Sequence, residues 1–284
     1  MIEVNELYFT YPGKKEPTVK GVDFKIKKGE IFGFLGPSGA GKSTLQKILI
    51  GILKNYKGSV KVFNQDLNQI KSDYYERIGV AFEFPNFYSK FTALENLSFF
   101  RSLYCGKTEN PNELLSVVGL GEDGNTRFSN FSKGMKMRLN ICRALLNDPD
   151  IIFLDEPTSG LDPVNSKKIR ALILRKKAEG KTVVITTHNM NVAEELCDHV
   201  AFIVDGRVML IDEPNKLKVQ KGKKTLRVKY EHKNVTQTKD FPISGLGENR
   251  KFLQLLNENE IHTLHSQEAS LEDIFIEVTG RKLL

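Results

Sequence analysis

Apolar runs of membrane-spanning length are missing from this chain. None of its 284 residues lies in an apolar stretch near the roughly 20 that a bilayer-crossing helix needs, so the chain is not expected to span a membrane. Cysteine is scarce and scattered. Cys105, Cys142 and Cys197 form no C-x-x-C pair, so they read as isolated reduced thiols, with neither a disulfide framework nor a metal site. The opening Met1-Ile2-Glu3-Val4-Asn5-Glu6 is acidic and strand-like, unlike the basic-then-apolar start of a secretion signal. A cytoplasmic location is therefore expected. Internal repeats and low-complexity tails are also missing.

What is present is an ordinary globular composition, 40% hydrophobic and 27% charged, with length for one large domain and a small one. The net charge of +7 raises the question of nucleic acid or an anionic membrane surface. The densest basic stretch is Lys216, Lys218, Lys221, Lys223, Lys224, Arg227 and Lys229. It has few interleaved aromatics, so it reads as a solvated face, and no nucleic-acid partner is expected.

Two strands are expected in the first 30 residues. Val4, Leu7, Tyr8 and Phe9 lead to a turn at Tyr11-Pro12-Gly13, and Val19, Val22, Phe24 and Ile26 alternate as far as Lys28-Gly29. Further strands are expected at Val60 to Phe63 and Ile78 to Phe82. The segment 86–147 is expected to be mostly helical, from Leu94, Leu97, Phe99, Phe100 and Leu103 and later Met135, Leu139, Ile141 and Leu145. Ile151 to Leu154 and Val183 to Ile185 are apolar runs with a helix-like segment, Val164 to Lys177, between them. Such alternation argues for an α/β fold with a parallel sheet, which places ligands at the carboxyl ends of its strands. Composition shifts near Pro214. A first domain over 1–220 and a small α+β domain over 221–284 are expected, the latter with strands at 225–230 and 261–264 and helices at 250–257 and 270–279. It holds no catalytic constellation, and His262 and His265 are expected at its surface.

The segment Gly36-Pro37-Ser38-Gly39-Ala40-Gly41-Lys42-Ser43-Thr44 fits G-x-x-x-x-G-K-[ST]. It follows a strand-like run, Ile31 to Leu35, and precedes a helix-like one with Leu45, Ile48, Leu49 and Ile52. Small residues let several N–H groups point at one anion, with the positive end of the next helix behind them. Lys42 is expected to reach the β/γ-phosphates of a nucleotide, and the Ser43 hydroxyl to bind Mg²⁺. Asp155-Glu156 closes the run Ile151 to Leu154. Adjacent acids at a strand end repel each other, which fits a cation or a proton transfer. Asp155 is then the metal-side residue and Glu156 the base that polarises a water. His188 follows Val183 to Thr187 and is placed to donate to a γ-phosphate oxygen.

The order of these motifs resembles that of the ATP-binding-cassette (ABC) ATPases. After the P-loop come Phe131-Ser132-Lys133-Gly134-Met135, then Asp155-Glu156, then Ser159-Gly160-Leu161-Asp162, then His188. The family shows an L-S-G-G-Q signature, an S-x-L-D loop and a switch His in that order. The resemblance covers about residues 1–215. It implies a P-loop NTPase (RecA-like) core with an antiparallel β subdomain and a helical subdomain, here about 86–147. It also implies ATP and Mg²⁺, with Tyr11 stacking on adenine. A composite site is implied, in which Ser132, Lys133 and Gly134 of one subunit face the P-loop, Asp155, Glu156 and His188 of a second, as a homo- or heterodimer, and Asp162 is implied among the nucleotide-binding residues. The tail, Ser270 to Phe275 and then Thr279-Gly280-Arg281, resembles ATPases of ABC-2-type exporters. Phe82-Glu83-Phe84-Pro85-Asn86 and Lys133 to Leu139 are similar to drug-efflux members, including fluoroquinolone exporters.

The resemblance thus implies an ATP-hydrolysing subunit at the cytoplasmic face of the membrane, working with a separate integral membrane permease. Phe84, Phe87, Tyr88 and Phe91 are candidates for the groove that receives it, or for core. Two departures stand out. Glu83 replaces the Gln that usually contacts Mg²⁺, and Lys133 and Met135 replace Gly and Gln of the signature. Two other readings remain: a soluble ABC ATPase acting on nucleic acid or ribosomes, and a regulatory subunit that holds ATP without turnover.

Overall fold

Alternation of apolar residues builds the first strand, and one irregularity re-aims it. In the computed structural model, β1 (Ile2–Phe9) buries Ile2, Val4, Leu7 and Phe9. The step from Val4 to Leu7 breaks a strict period of two, and the register shifts there, with Glu6 at φ 46°. A bulge restores the inward direction of the next apolar residue. The structure describes residues 1–221, 225–232, 235–267 and 269–281. Lys223, Lys224 and the Lys221 side chain of the basic stretch lie outside the described residues.

From β1 the chain continues through β2 (Val19–Ile26), β3 (Ile31–Leu35), α1 (Lys42–Leu49), β4 (Lys57–Val62), β5 (Gln65–Asp66), α2 (Ser72–Glu76) and β6 (Ile78–Ala81). Three helices follow, α3 (Ala93–Arg101), α4 (Pro111–Val117) and α5 (Lys133–Leu145). Then come β7 (Ile151–Asp155), α6 (Pro163–Ala178), β8 (Thr182–Thr187), α7 (Met190–Leu196), β9 (His199–Val204) and β10 (Arg207–Asp212). This is the first of two compact units, Met1–Glu213.

Strands β2-β1-β4-β5 form an antiparallel sheet. A second sheet has the order β10-β9-β3-β8-β7-β6, parallel throughout except for the β9–β10 hairpin. β3, β7 and β8 are buried along their whole length, which is why each contains a continuous apolar run. The two sheets share a core that includes Phe24, Phe32, Phe34, Ile48, Val60, Phe153 and Ile203. The fold is thus a P-loop NTPase α/β core with an antiparallel β layer and a helical segment of three helices. Asp205-Gly206 turns the β9–β10 hairpin with φ values of 50° and 78°, as a two-residue primed turn requires.

The second unit begins at Pro214, ahead of the expected boundary at 220/221. It holds α8 (Pro214–Lys221), β11 (Thr225–His232), β12 (Val235–Pro242), α9 (Arg250–Glu258), β13 (Glu260–Gln267) and α10 (Leu271–Thr279). Its sheet, β12-β11-β13, is antiparallel. Val228, Tyr230, Phe241, Phe252 and Leu255 make a small core there. His265 is exposed, and His262 lies 3.3 Å from Glu231.

Candidate nucleotide site

Strand order explains why residues far apart in sequence meet. β8 lies between β3 and β7. Leu35 pairs with Thr187, and Asp155 with Thr186, so the three strands end at one level. The P-loop leaves β3, Asp155-Glu156 ends β7, and His188 follows β8.

The loop turns tightly into α1. Gly41 is the helix N-cap at φ 107°, a conformation that disfavours any residue with a Cβ. Gly36, Ala40, Lys42 and Thr44 are buried, Pro37 and Ser43 half-buried, and Ser38 and Gly39 exposed. The Lys42 ammonium donates to the carbonyls of Gly36 (2.7 Å) and Pro37 (3.0 Å). Burial pulls its pKa down, opposed by the charges of Glu156, Asp155 and Glu83. One lysine therefore sits in the field of three carboxylates. Glu83, half-buried just beyond β6, belongs to that group.

Asp155 is buried at the strand end. Its Oδ1 accepts from the Thr186 hydroxyl and lies 3.4 Å from Ser43 Oγ. Burial raises its pKa, against the hydrogen bonds of Thr186 and Ser43. A buried carboxylate held this way is short of positive charge, and with Ser43 Oγ and the Glu83 carboxylate it offers a set of hard oxygen donors. That chemistry fits Mg²⁺, which takes one or two protein oxygens and completes its shell with phosphates and water.

Glu156 is buried, and its backbone is left-handed at φ 49°. Oε2 accepts from the Thr187 hydroxyl (3.0 Å). Oε1 faces both the His188 backbone N–H (2.9 Å) and His188 Nδ1 (2.7 Å). An ionised carboxylate only accepts, so Nδ1 carries the proton in this contact. Donation from Nε2 to a phosphate then requires the imidazolium form, or release of Nδ1 from Glu156. Thr186 and Thr187 were not singled out from the sequence. Their signal is two hydroxyl residues that follow the apolar run Val183 to Ile185.

Tyr11 is half-buried beside the loop. Its hydroxyl lies 3.2 Å from Thr44 Oγ1, Phe9 meets its ring edge-on at 4.9 Å, and Lys14 Nζ stands 5.9 Å from the ring centroid. The signature residues are elsewhere. Ser132 is exposed and caps α5, accepting from the Met135 N–H at 3.2 Å. A Cβ on Gly134 would stand 3.2 Å from the Gly160 carbonyl, and the Lys133 stem lies over Gly160. The signature loop thus rests on the S-x-L-D loop of the same chain. Asp162 is exposed and caps α6, accepting from the N–H groups of Asn165 and Val164, both at 3.0 Å. Those bonds, the Asn165 amide first, hold its carboxyl below the usual range. Among the described residues, no hydrogen bond or ion pair joins Ser132, Lys133, Gly134 or Asp162 to the P-loop.

Of the aromatic candidates, Phe87 and Tyr88 line a cavity with Phe82, Asn86, Phe100 and Arg143. Phe84 and Phe91 are exposed and outside its wall. None of the four is fully buried, although Phe87 packs against the buried Phe128 with ring centroids 5.0 Å apart.

Comparison with known proteins identifies the family. The profile of the ABC transporter family matches residues 19–159. That of the fluoroquinolone efflux ABC transporter C-terminal domain matches residues 224–268. A fluoroquinolones export ATP-binding protein of Mycobacterium tuberculosis is 50% identical over 284 residues, covering 100% of this chain and 94% of the relative. The bacitracin transport ATP-binding protein of Bacillus licheniformis is 34% identical, covering 99% of this chain and 97% of that protein. Among solved structures, an ATP-binding cassette captured as a dimer in a post-hydrolysis state with ADP and Pi is 31% identical. It superposes with a TM-score of 0.69, over 75% of this chain and 98% of its own. The chain belongs to the ATP-binding subunits of the ABC transporter family.

Proposed function

We propose that this chain is the ATP-hydrolysing subunit of an exporter of drug-like molecules, built as a nucleotide-binding domain (1–220) and a small C-terminal domain (221–284). The observation that carries the reading is the meeting of Lys42, Asp155, Glu156 and His188 at the carboxyl edge of β3, β8 and β7. The similarity to fluoroquinolone and bacitracin transport proteins supports the class of cargo.

In this reading the P-loop amides and Lys42 hold the phosphates of ATP, and Tyr11 stacks on the adenine. Ser43, Asp155 and Glu83 hold Mg²⁺, which when bound offsets phosphate charge and orients the γ-phosphoryl group. Glu156 takes the proton of the attacking water, and His188 contacts the γ-phosphate. Ser132, Lys133, Gly134 and Asp162 serve the facing site of a second subunit, so that ATP closes a two-fold dimer. The exposure of Ser132, Lys133 and Asp162 supports that division. No described helix is long and apolar enough to cross a membrane. We assign translocation to a separate ABC-2-type permease, with this chain bound at the cytoplasmic face.

Two assays test the proposal. The purified chain should release phosphate from ATP in the presence of Mg²⁺ in steady state; binding without release would leave a regulatory subunit. The tagged chain, recovered from source-cell membranes in mild detergent, should carry one polytopic membrane protein. Ribosomal or DNA-bound proteins in its place would overturn the exporter reading.

A further inference from the structure

Two charged side chains of the first unit have no bonded partner of their own. Lys133 opens α5, is exposed, and makes no hydrogen bond or ion pair among the described residues. Glu83, half-buried beyond β6, accepts no hydrogen bond and forms no ion pair among the described residues. Both stand where the chain departs from the motifs it resembles. One departure adds a negative charge and the other a positive one.

Negative charge gathers on the nucleotide side. Asp155, Glu156 and Glu83 all act on Lys42. Asp155 is held by the Thr186 hydroxyl, and Glu156 by the Thr187 hydroxyl and the His188 N–H. Glu83 is the one of the three without such a donor. A Gln in its place would leave this edge with one carboxylate fewer to repel a phosphate.

Positive charge gathers on the signature side. The first turn of α5 holds no acidic residue, and a lysine there is disfavoured by the helix dipole. Lys136 adds a second ammonium, 5.0 Å from the Phe128 ring centroid. The Lys133 stem is seated. A Cβ on Gly160 would stand 2.9 Å from both its Cδ and its Cε, so the S-x-L-D loop leaves the room that the stem fills. An apolar stem laid along the surface leaves the ammonium free for a partner.

We propose that Lys133 of one copy meets the charge of Glu83 of a second copy across the shared nucleotide, so that this chain closes on itself as a homodimer. The inference rests on the cross-subunit reading and names the partner, a second copy of this chain. Under two-fold symmetry a contact from Lys133 to Glu83 is repeated in the reverse direction. Both members of the pair lie in one chain, so a copy of itself balances both sites. A partner with Gln and Gly at these positions would leave an unmatched carboxylate in one site and an unmatched ammonium in the other. Lys133 is thus a specificity residue for the facing subunit.

The test reads dimerisation, by analytical ultracentrifugation of full chains that carry Glu156→Gln, with Mg²⁺ and ATP. Lys133→Gln should weaken the dimer about tenfold, but about threefold or less when Glu83→Gln is also present. Charge reversal shows whether the pair spans two copies. Chains with Lys133→Glu, or with Glu83→Lys, should each stay largely monomeric, because like charges then face each other. An equal mixture of the two should dimerise, since each site again joins opposite charges. Melting temperature and binding of a fluorescent ATP analogue report that each variant is folded and holds nucleotide. Should Glu83→Lys lose ATP binding, the cycle of Lys133→Gln and Glu83→Gln decides alone. An equal cost of Lys133→Gln with and without Glu83→Gln overturns the pairing and leaves the cross-subunit site intact. So does a nucleotide-bound mixture that stays monomeric. If Glu156→Gln alone forms no dimer with ATP, the cross-subunit reading fails and the pairing falls with it.

Discussion

Glu156 holds a left-handed φ of 49°, which costs a residue with a Cβ on the order of 1–3 kcal/mol. The turn is fixed from both sides, by its N–H on the Thr186 carbonyl (2.9 Å) and its carbonyl on the Ser159 N–H (3.0 Å). It directs the carboxylate to Thr187 and His188. Glu156→Gln keeps the shape and one of the two acceptor oxygens but cannot take a proton. Phosphate release should fall about 10²–10⁴-fold, while ATP accumulates in a dimer measurable by size-exclusion chromatography. Normal hydrolysis by this variant would remove Glu156 from the mechanism. His188→Ala should lose turnover with ATP affinity kept, as titration calorimetry would show.

Asp155 gives a pH prediction. Burial raises its folded-state pKa above the ordinary value of 3.8, so folding favours the protonated form. The associated stability is fully present below pH 3.8 and is lost as the pH rises through the folded-state pKa. At neutral pH the ionised carboxylate is therefore a cost to the nucleotide-free protein. Asp155→Asn should raise the calorimetric melting temperature at pH 7, with the gain shrinking toward pH 4. The same variant should lose the stabilisation by Mg²⁺ with ATP. A lower melting temperature at pH 7 would refute the electrostatic account.

At the scale of elements, α5 carries the signature end of the proposed machinery. Its first turn is capped by Ser132 and opens on Lys133. Ser132→Ala would confound two effects, because losing the cap alone costs about 1 kcal/mol. Ser132→Asp separates them. Aspartate caps as well as serine, yet places a negative charge where the facing subunit's phosphate is expected. Combined with Glu156→Gln, it should abolish the ATP-dependent dimer with melting temperature and ATP binding unchanged. A dimer as strong as that of Glu156→Gln alone would reject the cross-subunit site. Elements also differ in how far the sequence shows them. β3, β7 and β8 are buried on both faces and read as apolar runs. β12 is exposed at every position but Phe241, so Val235-Thr236-Gln237-Thr238 carries no alternation to read. It is a strand because β11 pairs with it along its whole length.

For the whole molecule, the division into two compact units makes a separable prediction. One core cluster of the second unit is built from five buried side chains, among which Phe252 meets Phe241 edge-on at 5.3 Å. Phe252→Ala removes about 3–5 kcal/mol, a large share of what so small a core can supply. Calorimetry should show a transition that falls sharply and does not respond to nucleotide, beside one that Mg²⁺ with ATP still raises. Loss of ATP binding would mean that the units do not fold separately.

Local chemistry was legible without a structure. The P-loop is one contiguous segment whose small residues, lysine and hydroxyl must be adjacent to surround a phosphate, and Asp155-Glu156 and His188 announce themselves as polar residues ending apolar runs. Their meeting point depends on β8 lying between β3 and β7, an order set by long-range pairing that no local pattern encodes. The roles of Thr186 and Thr187, the left-handed turn at Glu156 and the seat of the Lys133 stem on Gly160 likewise arise from groups distant in sequence. The residues themselves determined which groups the chain can offer to a phosphate, while the packing of strands and helices decided which of those groups share a site, because proximity in a sheet is a property of the whole fold.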